Sequence, residues 1–484
     1  MRLSGQAIIV AFFSFVISFS GILSSIILSR QLLVKDYGTY KQVWLIFNTL
    51  APIIILGTQT SVPFFVRKWH ESREKTVLFL ATIFVGSGSI LSGILLYFNA
   101  HHIGHYFNND DLTSLLKIFA LYPFLTLSIS FKDAYFISKQ RPYLASLSTL
   151  ISTILLLSAS IIPTLFEKNL NETFHWIVVS AIVQFIFYAI LFIVYKFHQP
   201  FIPNKSEISE FSKLSLTVGI GYLVQIFAIL IDKYVISYYY SPVEFALYSN
   251  GSLQIPFVAI VTGSIMTVLF PKMVELKKNN KIPELLNYWN EAAFKSSLFI
   301  YPIFIFSFIM GREIMVVFFS DKYVGSTPIF QIYLILFLFR NIHYSSILLV
   351  FQDLKFYLVT SFLYLIFNFI GNLVLLKYLG LNGPAYATVI VTLILIIMIL
   401  MRNAKLLGIS LFQTLPYQNL FKIFMTALAC GIIIYPIHQQ FNSRISGLYL
   451  IMITLPIYLF FYLGTLLKLK FITLNDLNVI KYIR

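Results

Sequence analysis

Apolar residues fill long, nearly continuous blocks of the chain, and short polar or charged breaks separate these blocks. A β-strand alternates apolar and polar residues, whereas a helix that crosses a bilayer needs roughly 20 predominantly apolar residues in a row. The pattern therefore predicts an all-α polytopic membrane protein with about 14 transmembrane helices. The predicted helix cores are 7–29, 42–66, 76–98, 114–137, 143–166, 176–196, 214–238, 246–270, 296–319, 328–350, 357–376, 384–402, 421–438 and 447–467.

Composition restricts the function classes that need to be considered. Of the 484 residues, 58% are hydrophobic and 11% are charged, whereas roughly 25% are charged in an average soluble protein. This excludes cytosolic enzymes, secreted domains and disordered chains. Cys430 is the only cysteine, so we predict neither a disulfide framework nor a cysteine-based metal site.

Lysine and arginine indicate the orientation in the membrane. If the N-terminus is cytoplasmic, 23 of the 35 Lys and Arg residues fall in cytoplasmic segments and seven, including Lys41, in outside segments. The positive-inside rule then places both termini in the cytoplasm. The net charge of +16 fits a basic face against anionic lipids, and we predict no nucleic-acid partner. The longest loop, 271–295, and the tail 468–484 are predicted to lie on the membrane surface as amphipathic segments.

An internal repeat divides the chain. At an offset of 208 residues, Asp36–Tyr40 matches Glu244–Tyr248, and Pro63 matches Pro271. Six predicted helices separate the copies, so both copies have the same orientation, as expected for a duplicated six-helix bundle. We therefore predict two pseudo-symmetric lobes with a cleft between them for alternating access. The predicted divisions are an N-lobe at 1–200 (spans 1–6), a C-lobe at 201–415 (spans 7–12), and spans 13 and 14 with a cytoplasmic tail at 416–484.

Three sets of residues resemble the signatures of bacterial polysaccharide exporters. They are Leu28–Leu32 (LSRQL) with Asp36–Tyr40 (DYGTY), Ile231–Ile236 (IDKYVI) with Tyr248–Asn250 (YSN), and Leu379–Ala387 (LGLNGPAYA). Ala246 stands where that family commonly has glycine, and Pro384 departs from its usual Gly-x-x-Gly-Ala-Ala pattern. In order and spacing, the motifs together resemble the Wzx-type flippases of the multidrug/oligosaccharidyl-lipid/polysaccharide (MOP) superfamily.

This resemblance implies a fold and a function. The implied fold is a two-lobed bundle of the MATE type, and the implied protein is a transporter rather than an enzyme. Its substrate would be an oligosaccharide on undecaprenyl diphosphate, moved from the cytoplasmic to the periplasmic leaflet of the bacterial inner membrane for O-antigen (lipopolysaccharide), capsule or exopolysaccharide synthesis. The expected partners are membrane lipids, a polysaccharide polymerase and a chain-length regulator. An H⁺ or Na⁺ gradient, and no bound cofactor, would drive transport.

There are three alternatives to this function. The first is a cation-coupled exporter of drugs or small metabolites from the same superfamily. Predicted spans 13 and 14 count against this exporter. The second is a flippase of the peptidoglycan precursor lipid II, which differs only in the sugar part of its substrate. The third is a membrane glycosyltransferase or polymerase, which would need catalytic acids or a large outside loop. The predicted outside loops are all short, and we predict no catalytic residue.

Charged residues within predicted spans are the candidates for substrate binding and coupling. A charge at the centre of a bilayer costs roughly 2.5–3.5 kcal/mol on insertion scales, so such residues are functional candidates by default. A diphosphate must lose its water shell to cross, and cationic side chains can replace it. The predicted cationic cavity comprises Arg340, Lys233, Lys132 and Arg30, with Asn341 and His343. The ion-coupling candidates are Asp232, Asp133 and Glu313. For Arg340, Asp232 and Lys233, pairing with a neighbouring helix is the alternative. For the others it is a position at the membrane interface, which Lys132 would reach by snorkelling and where Arg30 would anchor to headgroups.

Arg340 leads these candidates because it lies in the middle of predicted span 328–350. His343 follows it by three residues and is expected on the same helix face. Uncharged polar residues within spans could contact sugar hydroxyls or bond between helices. They are Asn48, Gln59, Gln225, Asn250 and Gln254. His101, His102 and His105, with Asp110 and Asp111, fall in a predicted outside loop, where a solvated loop is preferred over a metal site.

Overall fold

The structure is a computed structural model that describes residues 3–69, 73–166, 169–196, 202–253, 255–441 and 444–472. These residues form α-helices and short 3-10 turns and contain no β-strand, which confirms the all-α prediction. The helices are α1 (Leu3–Gln31), α2 (Val34–Ile55), α3 (Thr58–Lys68), α4 (Glu74–Tyr106), α5 (Asp111–Phe119), α6 (Tyr122–Leu127), α7 (Lys132–Ser138), α8 (Pro142–Leu165), α9 (Leu170–Lys196), α10 (Lys205–Tyr239), α11 (Pro242–Gly251), α12 (Pro256–Lys278), α13 (Ile282–Ile309), α14 (Gly311–Phe319), α15 (Thr327–Leu334), α16 (Ser346–Val350), α17 (Leu354–Leu379), α18 (Gly383–Leu407), α19 (Tyr417–Phe441) and α20 (Gly447–Lys468).

Membrane spans can be assigned from helix length and hydropathy. Within the described ranges, eleven helical stretches are long and apolar enough to cross a bilayer. One of them, Leu354–Leu407, contains both α17 and α18. The predicted number of about 14 spans therefore stays a prediction. Most of the predicted surface-lying tail, residues 473–484, lies outside the described residues.

The chain forms two compact units, Met1–Ser249 and Asn250–Arg484. In the first unit, α10 packs against α2 and α3, α1 packs against α8, and α9 packs against α5, α6 and α8. In the second unit, α12 and α19 pack against α13, α17 pairs with α18, and α20 packs against α14 and α19. The divisions expected from the repeat, at residues 200 and 415, stay predictions.

Two helix starts in the first unit recur at the offset found in the sequence. Helix α2 begins at Val34 and α11 at Pro242, while α4 begins at Glu74 and α13 at Ile282. Each pair is 208 residues apart. Prolines separated by the same offset also lie inside helices α3 and α12. Agreement in helix starts supports a duplication more strongly than the few matching residues do.

The prediction of a surface-lying connector at 271–295 is wrong. Helix α12 continues through Lys278, and α13 begins at Ile282 after a short turn. Trp289, in the middle of the predicted connector, is fully buried, and its Nε1 donates to the backbone oxygen of Thr414 at 3.1 Å. Charged residues on the exposed side of α13 made this stretch look like a loop, although it continues a packed helix.

The predicted outside loop that contains the histidines is also helical. Helix α4 continues to Tyr106, so the histidines lie exposed on its last turns. Asp111 begins α5 and pairs with the exposed Lys35 at 2.6 Å. Among the described residues, no group of three or more His, Cys, Asp or Glu side chains is arranged to hold a metal ion.

The second predicted span, 42–66, is broken in its middle. Leu56 and Gly57 have positive φ angles of 35° and 74°, which end α2 and begin α3. Helix α10 crosses this break at Gly219, where an added Cβ would lie 2.6 Å from the carbonyl carbon of Leu56. Two glycines therefore allow the backbones of α10 and the broken span to approach closely.

We predict that Gly219→Ala destabilises the protein by about 1–3 kcal/mol, because the new methyl group meets backbone atoms that cannot rotate away. The measurement is the thermal unfolding midpoint of the purified protein in detergent. Gly86→Ala is the matched control, since a Cβ at Gly86 has no neighbour within 4 Å. Equal midpoints for the two variants would show that the crossing is not tightly packed.

Candidate functional site

A cavity of about 350 Å³ with both polar and apolar lining residues lies within the unit Met1–Ser249, between α1, α2, α8, α10 and α11. Two lysines, Lys41 and Lys233, reach its wall, and none of the described residues that line it is acidic. Hydroxyl and amide groups supply further polar surface. They belong to Ser20, Ser24, Ser25, Tyr40, Asn48, Thr153, Ser160 and Ser249. The cavity is therefore positively charged and rich in hydrogen-bonding groups.

Lys41 is a site residue that the sequence analysis missed. It was placed in an outside segment, but α2 begins at Val34, so Lys41 lies about two turns inside a helix. Its Nζ donates to Ser25 Oγ at 2.8 Å and lies 5.2 Å from the ring centre of Tyr37. In the sequence, Tyr37 and Lys41 are four residues apart, and residues at this spacing share a helix face. This spacing was the available signal that Lys41 belongs to a helix.

Lys233 and Asp232 have different surroundings although they are adjacent. The Asp232 side chain is buried, and its Oδ2 accepts a hydrogen bond from the Tyr248 hydroxyl at 3.0 Å. Its Oδ1 accepts from the backbone N–H of Lys233 at 2.8 Å and lies 4.0 Å from Lys233 Nζ. Lys233 reaches the cavity, where its charge also acts on Lys41. Asp232 therefore balances part of the positive charge of Lys233, although Asp232 itself does not line the cavity.

A buried polar cluster holds α10 against α2 and the corner between α4 and α5. Asn109 Nδ2 donates to Thr39 Oγ1 at 2.9 Å and to Gln42 Oε1 at 2.6 Å. Gln42 Nε2 donates in turn to Ser237 Oγ at 2.8 Å. All four side chains are buried. The Asp36–Tyr40 stretch, which carried the family resemblance, therefore belongs to a packing corner next to the cavity.

Arg340, the leading candidate from sequence, lies in a helix break in the unit Asn250–Arg484. The prediction of a continuous helix over 328–350 is wrong, because α15 ends at Leu334 and a 3-10 turn ends at Phe339. Regular α-helix resumes only at Ser346. Interrupted spans at membrane depth are tolerated where they are buried in protein or line a cavity, so the break itself indicates a functional position.

Neighbouring helices satisfy the backbone groups that this break releases. The Tyr301 hydroxyl donates to the backbone oxygen of Leu338 at 3.4 Å. Asn403 Nδ2 donates to the backbone oxygen of Tyr344 at 2.9 Å. Tyr301 and Asn403 come from α13 and α18, so two other helices hold the broken segment in place.

The side chains around the break differ in their burial and in their partners. Arg340 is partly buried near the phenol groups of Tyr333 and Tyr364, and no carboxylate in the described part of the chain pairs with it. Asn341 is buried and accepts a hydrogen bond from the Tyr344 hydroxyl at 2.8 Å, whereas His343 is exposed. The expected helix face common to Arg340 and His343 does not exist, because the segment is not helical.

Lys132 and Asp133 form a local cluster at the start of α7. Asp133 accepts hydrogen bonds from Ser148 Oγ at 2.6 Å and from Thr149 Oγ1 at 2.8 Å. Lys132 Nζ lies 3.5 Å from the Asp133 carboxylate and 5.1 Å from the ring centre of Tyr188. Both charges therefore have partners within the cluster.

The other predicted residues do not join the cavity. Glu313 is buried on α14, where its carboxylate lies 3.1 Å from His438 Nε2 of α19. Arg30 is exposed at the end of α1. Of the uncharged candidates, Asn48 lines the cavity and Gln59 is exposed. Gln254 lies outside the described residues.

Comparison with known families shows which family the chain belongs to. The model of a family of polysaccharide biosynthesis proteins matches residues 27–328, which is more than half of the chain. The chain therefore belongs to this family, and the resemblance to Wzx-type flippases is confirmed. Comparison with curated protein sequences finds no match.

Solved structures show the same fold. The lipid II flippase MurJ, in an inward closed conformation, gives a TM-score of 0.75 at 16% identity and covers 96% of this chain and 99% of its own. An inward-facing multidrug resistance MATE family transporter of the MOP superfamily gives a TM-score of 0.64 at 12% identity. That match covers 81% of this chain and 94% of the transporter. A Vibrio cholerae MATE transporter gives a TM-score of 0.55 at 13% identity. That match covers 84% of this chain and 99% of the transporter.

These comparisons establish the class of protein. The chain has the fold shared by MurJ and the MATE transporters and is a multi-pass membrane protein of a MOP flippase family. The family and the structural relatives are flippases and transporters rather than enzymes. The roles of Arg340, Lys233, Lys132 and the other site residues stay predictions.

The cavity charge leads to a testable prediction. A cysteine at Ser24, in a Cys430→Ala background, should react faster with an anionic thiol reagent than with a cationic one of similar size. Lys41→Gln should lower this ratio of rates about five-fold, equivalent to roughly 1 kcal/mol. Lys213→Gln is the control, because Lys213 is exposed on α10 and does not line the cavity. An unchanged ratio in Lys41→Gln would mean that Lys41 does not charge the cavity.

Proposed function

We propose that this flippase moves an oligosaccharide linked to undecaprenyl diphosphate from the cytoplasmic to the periplasmic leaflet of the bacterial inner membrane, by alternating access. The translocated units would supply O-antigen, capsule or exopolysaccharide synthesis. The observation that carries the proposal is the cavity lined by Lys41 and Lys233 without an acidic residue. A site with that charge favours an anionic substrate.

The chemistry of the substrate suits this cavity. The ammonium groups of Lys41 and Lys233 would replace part of the hydration of the diphosphate. In the unit Asn250–Arg484, the Arg340 guanidinium offers two parallel hydrogen bonds to a phosphate group. The serine and threonine hydroxyls and Asn48 offer hydrogen bonds to sugar hydroxyls. A cavity of about 350 Å³ is near the lower end of the volumes of ligand sites, and it would hold the diphosphate and adjacent sugar rather than a complete repeat unit.

The alternatives differ in substrate charge and in family. A cation-coupled exporter of cationic drugs would need acidic groups facing its substrate, and the nearest acid, Asp232, is hydrogen-bonded behind the wall. A lipid II flippase would use the same diphosphate chemistry, and MurJ shares the fold. The family match to polysaccharide biosynthesis proteins favours the oligosaccharide substrate.

We also propose the cellular setting. Both termini would face the cytoplasm, and a polysaccharide polymerase and a chain-length regulator would receive the translocated units. An H⁺ or Na⁺ gradient would drive the cycle through Asp232, which is buried and bonded to the Tyr248 hydroxyl. Glu313, which lies against His438, is the second candidate for coupling, and Asp133 is the third.

The decisive experiment uses cells depleted of this protein. Lipid extracts should contain more oligosaccharide linked to undecaprenyl diphosphate, while surface polysaccharide should fall. Plasmid-borne wild-type protein should restore both levels. Lys41→Gln and Arg340→Ala should fail to restore export although they reach the membrane, and Arg340→Lys should restore part of it. Lys213→Gln serves as the control and should restore export fully.

Two outcomes would contradict the proposal, and a third would correct its residue assignment. Unchanged lipid-linked oligosaccharide and surface polysaccharide, in a strain without a second copy, would favour the small-molecule exporter. Accumulation of lipid II alone would assign the protein to peptidoglycan synthesis. Full export by Arg340→Ala would remove Arg340 from the mechanism.

The coupling role of Asp232 has its own test. Asp232→Asn keeps the side-chain shape but removes the ionisable group; its amide oxygen can still accept from the backbone N–H of Lys233, while its NH2 group donates to the Tyr248 hydroxyl oxygen. We expect transport in vesicles to lose its dependence on the imposed ion gradient. Glu210→Gln is the control, since Glu210 pairs with Lys68 at an exposed position. A dependence equal to that of wild type would leave Asp232 as the structural counter-charge of Lys233.

A further inference from the structure

A second cavity in the unit Met1–Ser249, of about 930 Å³, lies mainly between α4, α6, α7 and α9. Its volume is near the upper end of the range found for ligand sites. Apolar side chains form most of its wall, including Leu78, Ile83, Ile90, Phe124 and Phe185. Ile83 and Ile90 are about half exposed, so the cavity opens beside α4. It shares no lining residue with the cavity of Lys41.

Basic residues from α7 and the turn before α8 also line this cavity. They are Lys132, Lys139 and Arg141. Lys132 lies 3.5 Å from the Asp133 carboxylate, and Lys139 Nζ lies 2.7 Å from Glu74 Oε2. Arg141 is exposed and has no acidic partner in the described part of the chain. The three cations and two carboxylates therefore leave one positive charge at an otherwise apolar cavity.

We propose that this cavity binds an anionic phospholipid, with acyl chain along the apolar wall and phosphate at Arg141, Lys132 and Lys139. One uncompensated positive charge matches the single negative charge of a phosphodiester. Basic pockets between membrane helices on the cytoplasmic side are suited to anionic headgroups, and the predicted topology puts 138–142 on that side. A diphosphate carrier is more negative and matches this charge less well. The proposal does not rest on the transport function.

The apolar part of the site can be filled from within. Gly86 lines the cavity, and a Cβ built on it has no neighbour within 4 Å. Gly86→Leu should therefore fold and place its side chain in the space of the acyl chain. Gly464→Leu is the matched control, because Gly464 is equally open but lies on α20, outside this cavity. We expect native mass spectrometry to show bound phosphatidylglycerol on wild type and Gly464→Leu, and its loss from Gly86→Leu.

The charged part can be tested through lipid preference. Purified protein is given equimolar phosphatidylglycerol and phosphatidylcholine, and the ratio of the two bound lipids is measured. Arg141→Gln should lower the preference for phosphatidylglycerol about five-fold, as expected for one basic residue at a headgroup. Arg444→Gln is the control and should leave the preference unchanged. Arg444 is exposed, is remote from the cavity in sequence and does not line it.

Each contrary result overturns the proposal. Equal retention of the two lipids by wild type would mean that the cavity does not select an anionic headgroup. Undiminished binding to Gly86→Leu would place the lipid elsewhere on the protein. The third result comes from competition for the site. If undecaprenyl phosphate displaced bound phosphatidylglycerol at a lower concentration than added phosphatidylglycerol does, the site would belong to the lipid carrier.

Discussion

Backbone N–H and C=O groups have no water to bind in the hydrocarbon layer, so each interruption of a membrane helix needs partners from within the protein. The break that contains Arg340 meets this requirement with a hydroxyl from α13 and an amide from α18. The break at Leu56 and Gly57 meets it differently, through a tight turn with positive φ angles against α10. Interruptions are therefore fixed points around which the neighbouring helices pack.

The same scarcity of water determines how charges are arranged. Asp232 and Asp133 each accept hydrogen bonds from neighbouring groups and each lie near a lysine. Lys41 is different, because a serine hydroxyl and the face of a tyrosine ring are its neighbours. A partly buried cation without an acidic partner is costly unless water or an anion reaches it. The cavity around Lys41 provides the space for such an anion.

Hydropathy predicted the fold well because it reports contact with lipid. All-helical architecture, the family and the 208-residue repeat follow from apolar blocks and a few motif residues. Hydropathy does not report helix ends, because a helix continues beyond the bilayer wherever protein covers it. Trp289 on α13 is an example, since it is buried within a stretch whose charges resembled a loop. For the same reason Lys41 was assigned to an outside segment although α2 had begun two turns earlier.

The site was less predictable because pairing depends on neighbours that are distant in the sequence. Lys132 and Arg340 are 208 residues apart, so they occupy equivalent places in the repeat, and each lies at an irregular stretch of its span: Lys132 directly after one and Arg340 at the start of one. The next residue differs between the copies: it is Asp133 in the first and Asn341 in the second. The first cation is therefore neutralised by its own neighbour, whereas Arg340 has only an amide beside it. The difference between a carboxylate at 133 and an amide at 341 therefore accounts for the different charge pairing of the two cations.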